Sequence, residues 1–459
     1  MKHTTIIIFG ITGDLARRQL LPALYHLIAA DTEHAYTIIG VAQQVSNVTA
    51  IWEEAKPFMG TYDEMQLQKL QEYTQLIAGD IADPATYQRL REALAARENG
   101  NRLVYCSVPA FLFGAITKGC AAEGILKKQP KHAAPWHRIV YEKPFGRDRA
   151  SAQKLNTEIG HLLDEYQIFR IDHYLTKEVV SSIALIRFTN AVFEPLWNNR
   201  YIDQVHIIAA ESIGIEGRGV YYDAYGAMRD MMQNHMLQLT ALIGMESPTK
   251  LSGDAIRDAR LAVLRNISCD DGIYGQYRGY REESHVSATS HTETYALLKC
   301  AINTPRWLGV SFYLIAGKKL AHKETVIYIK FKTVDCLLAK QCPSPANWLT
   351  IRVAPEGVFS LTLNGKDPAS PDKTVPIEMS FCHSCVFEAR STQAYEQAIG
   401  EVLRGEQSAS VRFDEIDASW QFIDTVLQKK FLLYQYEPGT EGPAEVAAFA
   451  KRNGVRWHI

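Results

Sequence analysis

Thr5-Ile6-Ile7-Ile8-Phe9-Gly10-Ile11-Thr12-Gly13-Asp14-Leu15-Ala16 joins an apolar run to a glycine-bearing turn near the start of the chain. Three isoleucines and a phenylalanine ended by glycine predict a buried strand. Leu15 to Ala30, with Leu20, Leu21, Leu24, Leu27 and Ile28 on one face, predicts the helix that follows. In such a unit the glycines let the backbone approach a pyrophosphate, and the helix N-terminus offers free N–H groups and a positive dipole end. The spacing Gly-x-x-Gly-x-x-Ala is weaker than the fuller Gly-x-Gly-x-x-Gly, because glycine at a strand–helix turn often has only a steric reason. Its place in the first βα unit raises it above chance. Gly10, Thr12, Gly13, Asp14 and Leu15 are the candidate cofactor contacts.

Outward from this turn the first third alternates strands and helices. Tyr36–Val41, Arg102–Cys106 and Arg138–Tyr141 read as strands, Phe111–Glu123 as a helix, and Pro84–Arg97 as a helix capped by Asp83. That alternation predicts a parallel Rossmann-type sheet with helices on both faces. Later, Val220–Met245 reads as one long helix and Asp254–Ile267 as another. Strand-like runs joined by short turns dominate from Glu293: Tyr295–Cys300, Leu308–Ile315, Thr325–Phe331, Leu349–Val353 and Phe359–Leu363. They predict a large, mainly antiparallel sheet. Helices return over Ala394–Leu403 and Phe413–Lys429. The fold class is therefore α/β followed by α+β, with domains expected at 1–175 and 176–459.

The 459 residues are 47% hydrophobic and 22% charged, which excludes a disordered chain. A formal charge of -2 gives no general case for nucleic-acid or membrane-surface binding. No run approaches the ~18 apolar residues of a membrane span, and the N-terminus lacks the pattern of a secretory signal. The eight cysteines are scattered. The expectation is a cytoplasmic protein with mostly reduced thiols. Cys382-His383-Ser384-Cys385 lacks the further ligands of a zinc site, and burial is its simplest reading; no metal is expected.

Three more segments carry a family likeness: Tyr141-Glu142-Lys143-Pro144-Phe145-Gly146, Phe169-Arg170-Ile171-Asp172-His173-Tyr174-Leu175-Thr176-Lys177-Glu178, and Glu216-Gly217-Arg218-Gly219 leading to Asp230-Met231-Met232-Gln233-Asn234-His235. Together with the opening turn, and with Pro305-Arg306-Trp307 and Gly317–Leu320 further on, they resemble the glucose-6-phosphate dehydrogenase family in content and order. The resemblance implies oxidation of glucose 6-phosphate at C1 to 6-phosphogluconolactone, the first step of the pentose phosphate pathway, with hydride passing to NAD or NADP. It also implies a homodimer or homotetramer built on the antiparallel sheet. The alternatives are a dehydrogenase of another hexose 6-phosphate and a non-catalytic homologue.

The likeness assigns His235 as the base, and imidazole chemistry suits the task, since its intrinsic pKa lies near neutrality. It makes Asp172 the carboxylate partner of that base. Asp230 and Glu211 become acceptors for sugar hydroxyls, and His173, Tyr174 and Lys177 the phosphate group. A cation and two further polar groups fit a dianion, and His173 and Lys177 share a face if their segment is helical. Lys143, before a proline that is a cis candidate, is implied to contact both sugar and cofactor, and Lys318 and Lys323 to lie near the substrate. Asp230 and His235 are five apart, so they do not align in the i, i+4 sense. Thr176 stands where the family generally has Gly, and a β-branched residue there is expected to shift the local backbone.

The second strand ends Gly40-Val41-Ala42, and Gln43 occupies the position where the family commonly carries the arginine for the NADP 2′-phosphate. No Lys or Arg follows until Lys56, although Arg17 and Arg18 are near the turn in sequence. NAD is therefore expected to be used at least as well as NADP.

Overall fold

Ile6, Ile7, Ile8 and Phe9 are all at most 1% exposed, as a strand covered on both faces requires. They belong to β1 (His3–Phe9) of a computed structural model that describes residues 3–45, 47–97, 99–250, 252–334, 345–382 and 394–457. β1 pairs in parallel with β2 (Ala35–Ala42) and β4 (Asn101–Cys106). β3 (Thr74–Ala78), β5 (His137–Tyr141) and the short β6 (Ile168–Arg170) complete a six-stranded parallel sheet of order β3-β2-β1-β4-β5-β6. Its helices start where side chains can take orphan amides. Asn47 accepts from Ala50 N–H, Asp63 from Gln66 N–H, and Asp83 from Ala85 N–H. Asp148 and Ser151 form a reciprocal capping box.

The chain divides into two compact units, and the first runs from residue 1 to Thr176. It also takes in residues 251–257 and 392–417, a return that division at a single point near residue 175 does not provide. The reason is apolar. The helix Ala394–Arg404 places Tyr395, Ala398, Ile399 and Val402 in one buried cluster with Leu20, Leu24, Ile38 and Trp52. Polar ties support it, with Arg138 Nη1 donating to the carbonyls of Val402 (2.5 Å) and Leu403 (2.8 Å).

In the second unit, nine strands among the described residues form one sheet of order β14-β13-β12-β11-β7-β10-β9-β8-β15. They are β7 (Ile202–Ala210), β8 (Ile267–Tyr277), β9 (Tyr295–Ile302), β10 (Ser311–Gly317), β11 (Glu324–Phe331), β12 (Trp348–Ala354), β13 (Val358–Asp367), β14 (Ser370–Cys382) and β15 (Leu433–Tyr436). Neighbours are antiparallel except β7·β10 and β8·β15. The sheet matches the expected class, but β7 and β8 escape periodicity analysis. β7 carries Asp203, Gln204 and His206 inside an apolar run, and His206 is fully buried among the rings of Tyr313, Trp348 and Trp457. β8 contains Asp270-Asp271-Gly272, which reads as a turn but is a register shift within the strand.

The predicted long helix over Val220–Met245 is three elements. Gly219–Ala227 is α-helical apart from Gly226, whose φ of 62° and ψ of -179° leave the helical region. Met228–Met236 winds as a π-helix, and Leu237–Gly244 resumes the α-helix. The helix expected over Asp254–Ile267 runs Gly253–Leu264, and Ile267 already belongs to β8.

If the returning helix completes the first core, Ile399→Ala should destabilise that unit by about 2–5 kcal/mol, the usual cost of truncating a buried Ile. Urea unfolding followed by hydrogen exchange at the Leu21–Ala30 amides checks this. Unchanged protection there would show that the first unit holds without the returning segment.

Candidate active site

The turn after β1 is built for close backbone approach. Gly10 has φ 84°, and a Cβ on it would stand 2.3 Å from the Ser107 carbonyl oxygen and 2.8 Å from a Val108 methyl, so only glycine fits. Gly10 N–H donates to Val41 O, and Gly13 N–H closes the turn on Gly10 O at 2.9 Å. Arg17 N–H then bonds Gly13 O, and the helix opens with a π segment, Ala16–Leu20, before the α-helix Leu21–Ala30. This cradle, at the carboxyl end of β1, fits a dinucleotide pyrophosphate. Asp14 is exposed and accepts from Arg17 Nη2 (2.6 Å) and Arg18 Nε (2.8 Å), and their hydrogen bonds and charges hold its carboxyl below the usual carboxylate range. Gln43, just past β2, donates to Asp80 Oδ2 at 3.4 Å.

Lys143 follows β5, with Glu142 before it and a cis peptide bond to Pro144 after it. Glu142 was not singled out from sequence. Its Oε1 accepts from Tyr105 Oη at 2.6 Å. Burial pushes its pKa up to about 7, against the lowering effects of the Tyr105 hydrogen bond, the Lys143 charge and a Tyr395 hydrogen bond. Tyr395 also stacks on His173, with centroids 6.2 Å apart and planes 15° apart. No motif marks Tyr395, because it comes from the returning helix.

Asp172, His173 and Tyr174 follow β6, whose edge is tied down by Arg170 N–H to Ser410 Oγ and Val411 N–H to Arg170 O, both 3.0 Å. Asp172 is 3% exposed, and its Oδ1 accepts from Tyr174 N–H at 2.9 Å. His173 meets the Tyr174 ring edge-on at 5.0 Å. The segment is a turn rather than a helix, so His173 and Lys177 do not share a helix face. Thr176 is buried, its hydroxyl donates to His173 O at 3.2 Å, and its φ lies outside the left-handed region, so the backbone does not demand the family's glycine.

In the second unit Lys177 occupies the N-cap position of the helix Glu178–Thr189, where cation and dipole end favour an anion together. Glu211 follows β7, and Lys318 follows the parallel neighbour β10. The two form an ion pair, with Lys318 2% exposed and its Nζ lying over the Tyr222 ring at 5.1 Å. Lys323 is exposed before β11, and the pairing of Glu324 with Ala210 sets it level with Glu211 on the other side of β7.

Asp230 and His235 ride on the π segment and are 4% and 1% exposed. An α-helical step of five residues would set them about 140° apart. In a π-helix the hydrogen bond closes at i+5, so His235 comes just over one turn above Asp230 and the two share a face. The expected lack of alignment is thereby overturned. Asp230 Oδ1 accepts from Tyr221 Oη at 3.1 Å, and the Tyr221 ring stacks on Tyr225 at 4.6 Å. Tyr221 was also missed, although it lies in the same motif region, because helical spacing alone gives no reason to link residues nine apart.

Of the Cys382–Cys385 cluster only Cys382 lies within the described residues. Among the described residues no helix is long and apolar enough to cross a membrane.

Comparison with known proteins agrees with this geometry. Residues 7–182 match the NAD binding domain of glucose-6-phosphate dehydrogenase, and residues 184–458 its C-terminal domain. The chain is 34% identical to the glucose-6-phosphate 1-dehydrogenase of Bacillus subtilis, over 98% of this chain and 97% of that one. It is 36% identical to that of Aggregatibacter actinomycetemcomitans, over 99% and 97%. A solved glucose-6-phosphate dehydrogenase in complex with glucose-6-phosphate superposes with a TM-score of 0.90 at 29% identity, covering 100% of this chain and 99% of that one. The chain belongs to the glucose-6-phosphate dehydrogenase family.

Proposed function

We propose that this protein is a glucose-6-phosphate 1-dehydrogenase, oxidising glucose 6-phosphate at C1 to 6-phosphogluconolactone. The observation that carries the reading is the alignment of the buried Asp230 and His235 on one π-helical face. In this reading His235 takes the proton of the C1 hydroxyl, and Asp172 is the carboxylate that orients its imidazole. Asp230 and Glu211 accept hydrogen bonds from other sugar hydroxyls. His173, Tyr174 and Lys177 hold the phosphate, Lys318 and Lys323 lie near the substrate, and Lys143 serves sugar and cofactor. The cofactor would rest on the Gly10–Leu15 turn, where Thr12, Asp14 and Leu15 accompany the glycines; when bound, it supplies the hydride acceptor.

The test is nicotinamide reduction against a panel of sugar phosphates. Glucose 6-phosphate should give the highest specificity constant; another hexose 6-phosphate in first place, or no turnover at all, would replace the reading. In the same assay His235→Asn should lose about 10²–10⁴-fold in kcat, the share of a general base, with sugar-phosphate affinity nearly intact. Turnover within a few-fold of wild type would remove His235 from that role.

Use of NAD at least as well as NADP is supported by three features. Gln43 carries no charge, its amide faces the Asp80 carboxylate, and Arg17 and Arg18 are already engaged by Asp14. Gln43→Arg should move the NADP/NAD ratio of specificity constants at least about tenfold toward NADP, the effect of one charge-assisted hydrogen bond. A wild type that already favours NADP about a hundredfold, unaltered by the substitution, would contradict it.

A homodimer or homotetramer through the second unit's sheet, in the cytoplasm, completes the reading. Leu363, Ile377, Met379 and Phe381 expose apolar surface on β13 and β14, and a related Arabidopsis thaliana protein, 34% identical over 99% of this chain, is designated cytoplasmic. Sedimentation at micromolar concentration should show no monomer of 51.6 kDa; a clean monomer would refute the assembly.

A further inference from the structure

The alignment of Asp230 with His235 depends on where the π register begins, and it begins at Met228. Just upstream, Gly226 leaves helical geometry, which breaks the ladder from the preceding helix. Across that break one residue takes both leading amides. Ala227 N–H donates to the main-chain oxygen of Glu293, and Met228 N–H donates to Glu293 Oε1, each at 2.9 Å. Glu293 is 8% exposed and comes from the strand approach just before β9. Its neighbours are fixed: Thr294 N–H bonds Gly275 O on β8 at 2.8 Å, and Thr292 Oγ1 bonds Asp223 O at 2.7 Å. The fit is close, since a Cβ on Gly226 would lie 2.3 Å from Glu293 Oε1. The φ of 62° also disfavours any side chain there.

We propose that Glu293 is a positioning residue: its side chain and its carbonyl together set the phase of Met228–Met236, and so place Asp230 and His235, without touching substrate. The inference rests on the roles given to Asp230 and His235 above. A buried carboxylate is costly to hold in an apolar setting. Burial raises the pKa of Glu293, and the Met228 amide and the Arg229 charge act against that rise. What the anchor requires is an acceptor oxygen at one point, which the amide of glutamine also supplies.

The test compares Glu293→Ala, Glu293→Gln and Glu293→Asp in the full-length enzyme. Glu293→Ala should lower kcat and raise the sugar-phosphate KM, together costing at least about a hundredfold in kcat/KM, as misplacing reacting groups by about an ångström does. The cofactor KM should stay put. Glu293→Gln keeps the acceptor and should stay within a few-fold of wild type. Glu293→Asp keeps the charge but withdraws the oxygen, and should be impaired. A role for the charge gives the reverse order for Gln and Asp and overturns the proposal, as does a Glu293→Ala enzyme with wild-type kinetics. Hydrogen exchange at the amides of Met228–Met236 supplies a readout free of activity. Faster exchange in Glu293→Asp than in Glu293→Gln supports the anchor, and equal rates refute it. If the wild type oxidised no sugar phosphate, the functional reading would fail, and exchange alone would still decide the anchor.

Discussion

A helix wound one residue too wide is the constraint on which the candidate site depends. Over Met228–Met236 the hydrogen bonds close at i+5, and only that register lines up Asp230 with His235. Such turns are poorer than α-helical ones and persist where the surroundings hold them. Here the surroundings are visible. Met228, Met232 and Met236 are fully buried and Met231 nearly so. Four of the chain's nine methionines thus lie in one nine-residue segment, and their unbranched, adaptable side chains suit the irregular gaps around a widened helix.

The same segment shows the limit of reading by period. The motif from Asp230 to His235 was legible as a string, and the family likeness, not the residue types alone, linked it to sugar and proton chemistry. Its geometry was not legible, because a periodicity argument assumes 3.6 residues per turn, and Gly226 within an otherwise helical pattern is normally a small propensity cost, not a break. Four strands of the first sheet were legible as apolar runs, but β3 and β6 were not, because Thr74–Ala78 is interrupted by Gln75 and Ile168–Arg170 is only three residues long. β7 and β8 were hidden for opposite reasons: one buries His206 among aromatic rings, and the other turns Asp270-Asp271-Gly272 into a bulge. The contribution of Tyr395 to the first unit was invisible because nothing local marks a helix that returns from far along the chain.

Each unit supplies a different kind of chemistry. The first offers a glycine turn that admits a phosphate backbone, and a carboxyl, Glu142, with a pKa of about 7 beside Lys143. The second offers acceptors already paired, the half-buried Glu211 with the buried Lys318 cation and the buried Asp230 with the Tyr221 hydroxyl. Pre-formed pairing of this sort fixes side chains before substrate arrives, so less ordering remains for the bound state.

The proposed reading requires that hydride leave C1 of glucose 6-phosphate for a bound nicotinamide while His235 takes the hydroxyl proton. Mass spectrometry of the dinucleotide after turnover of C1-deuterated glucose 6-phosphate tests it most directly. One deuterium should be carried into the reduced nicotinamide, and transfer should be nearly abolished when His235 is replaced by asparagine. Reduced nicotinamide without deuterium, or transfer that survives the replacement, would contradict it.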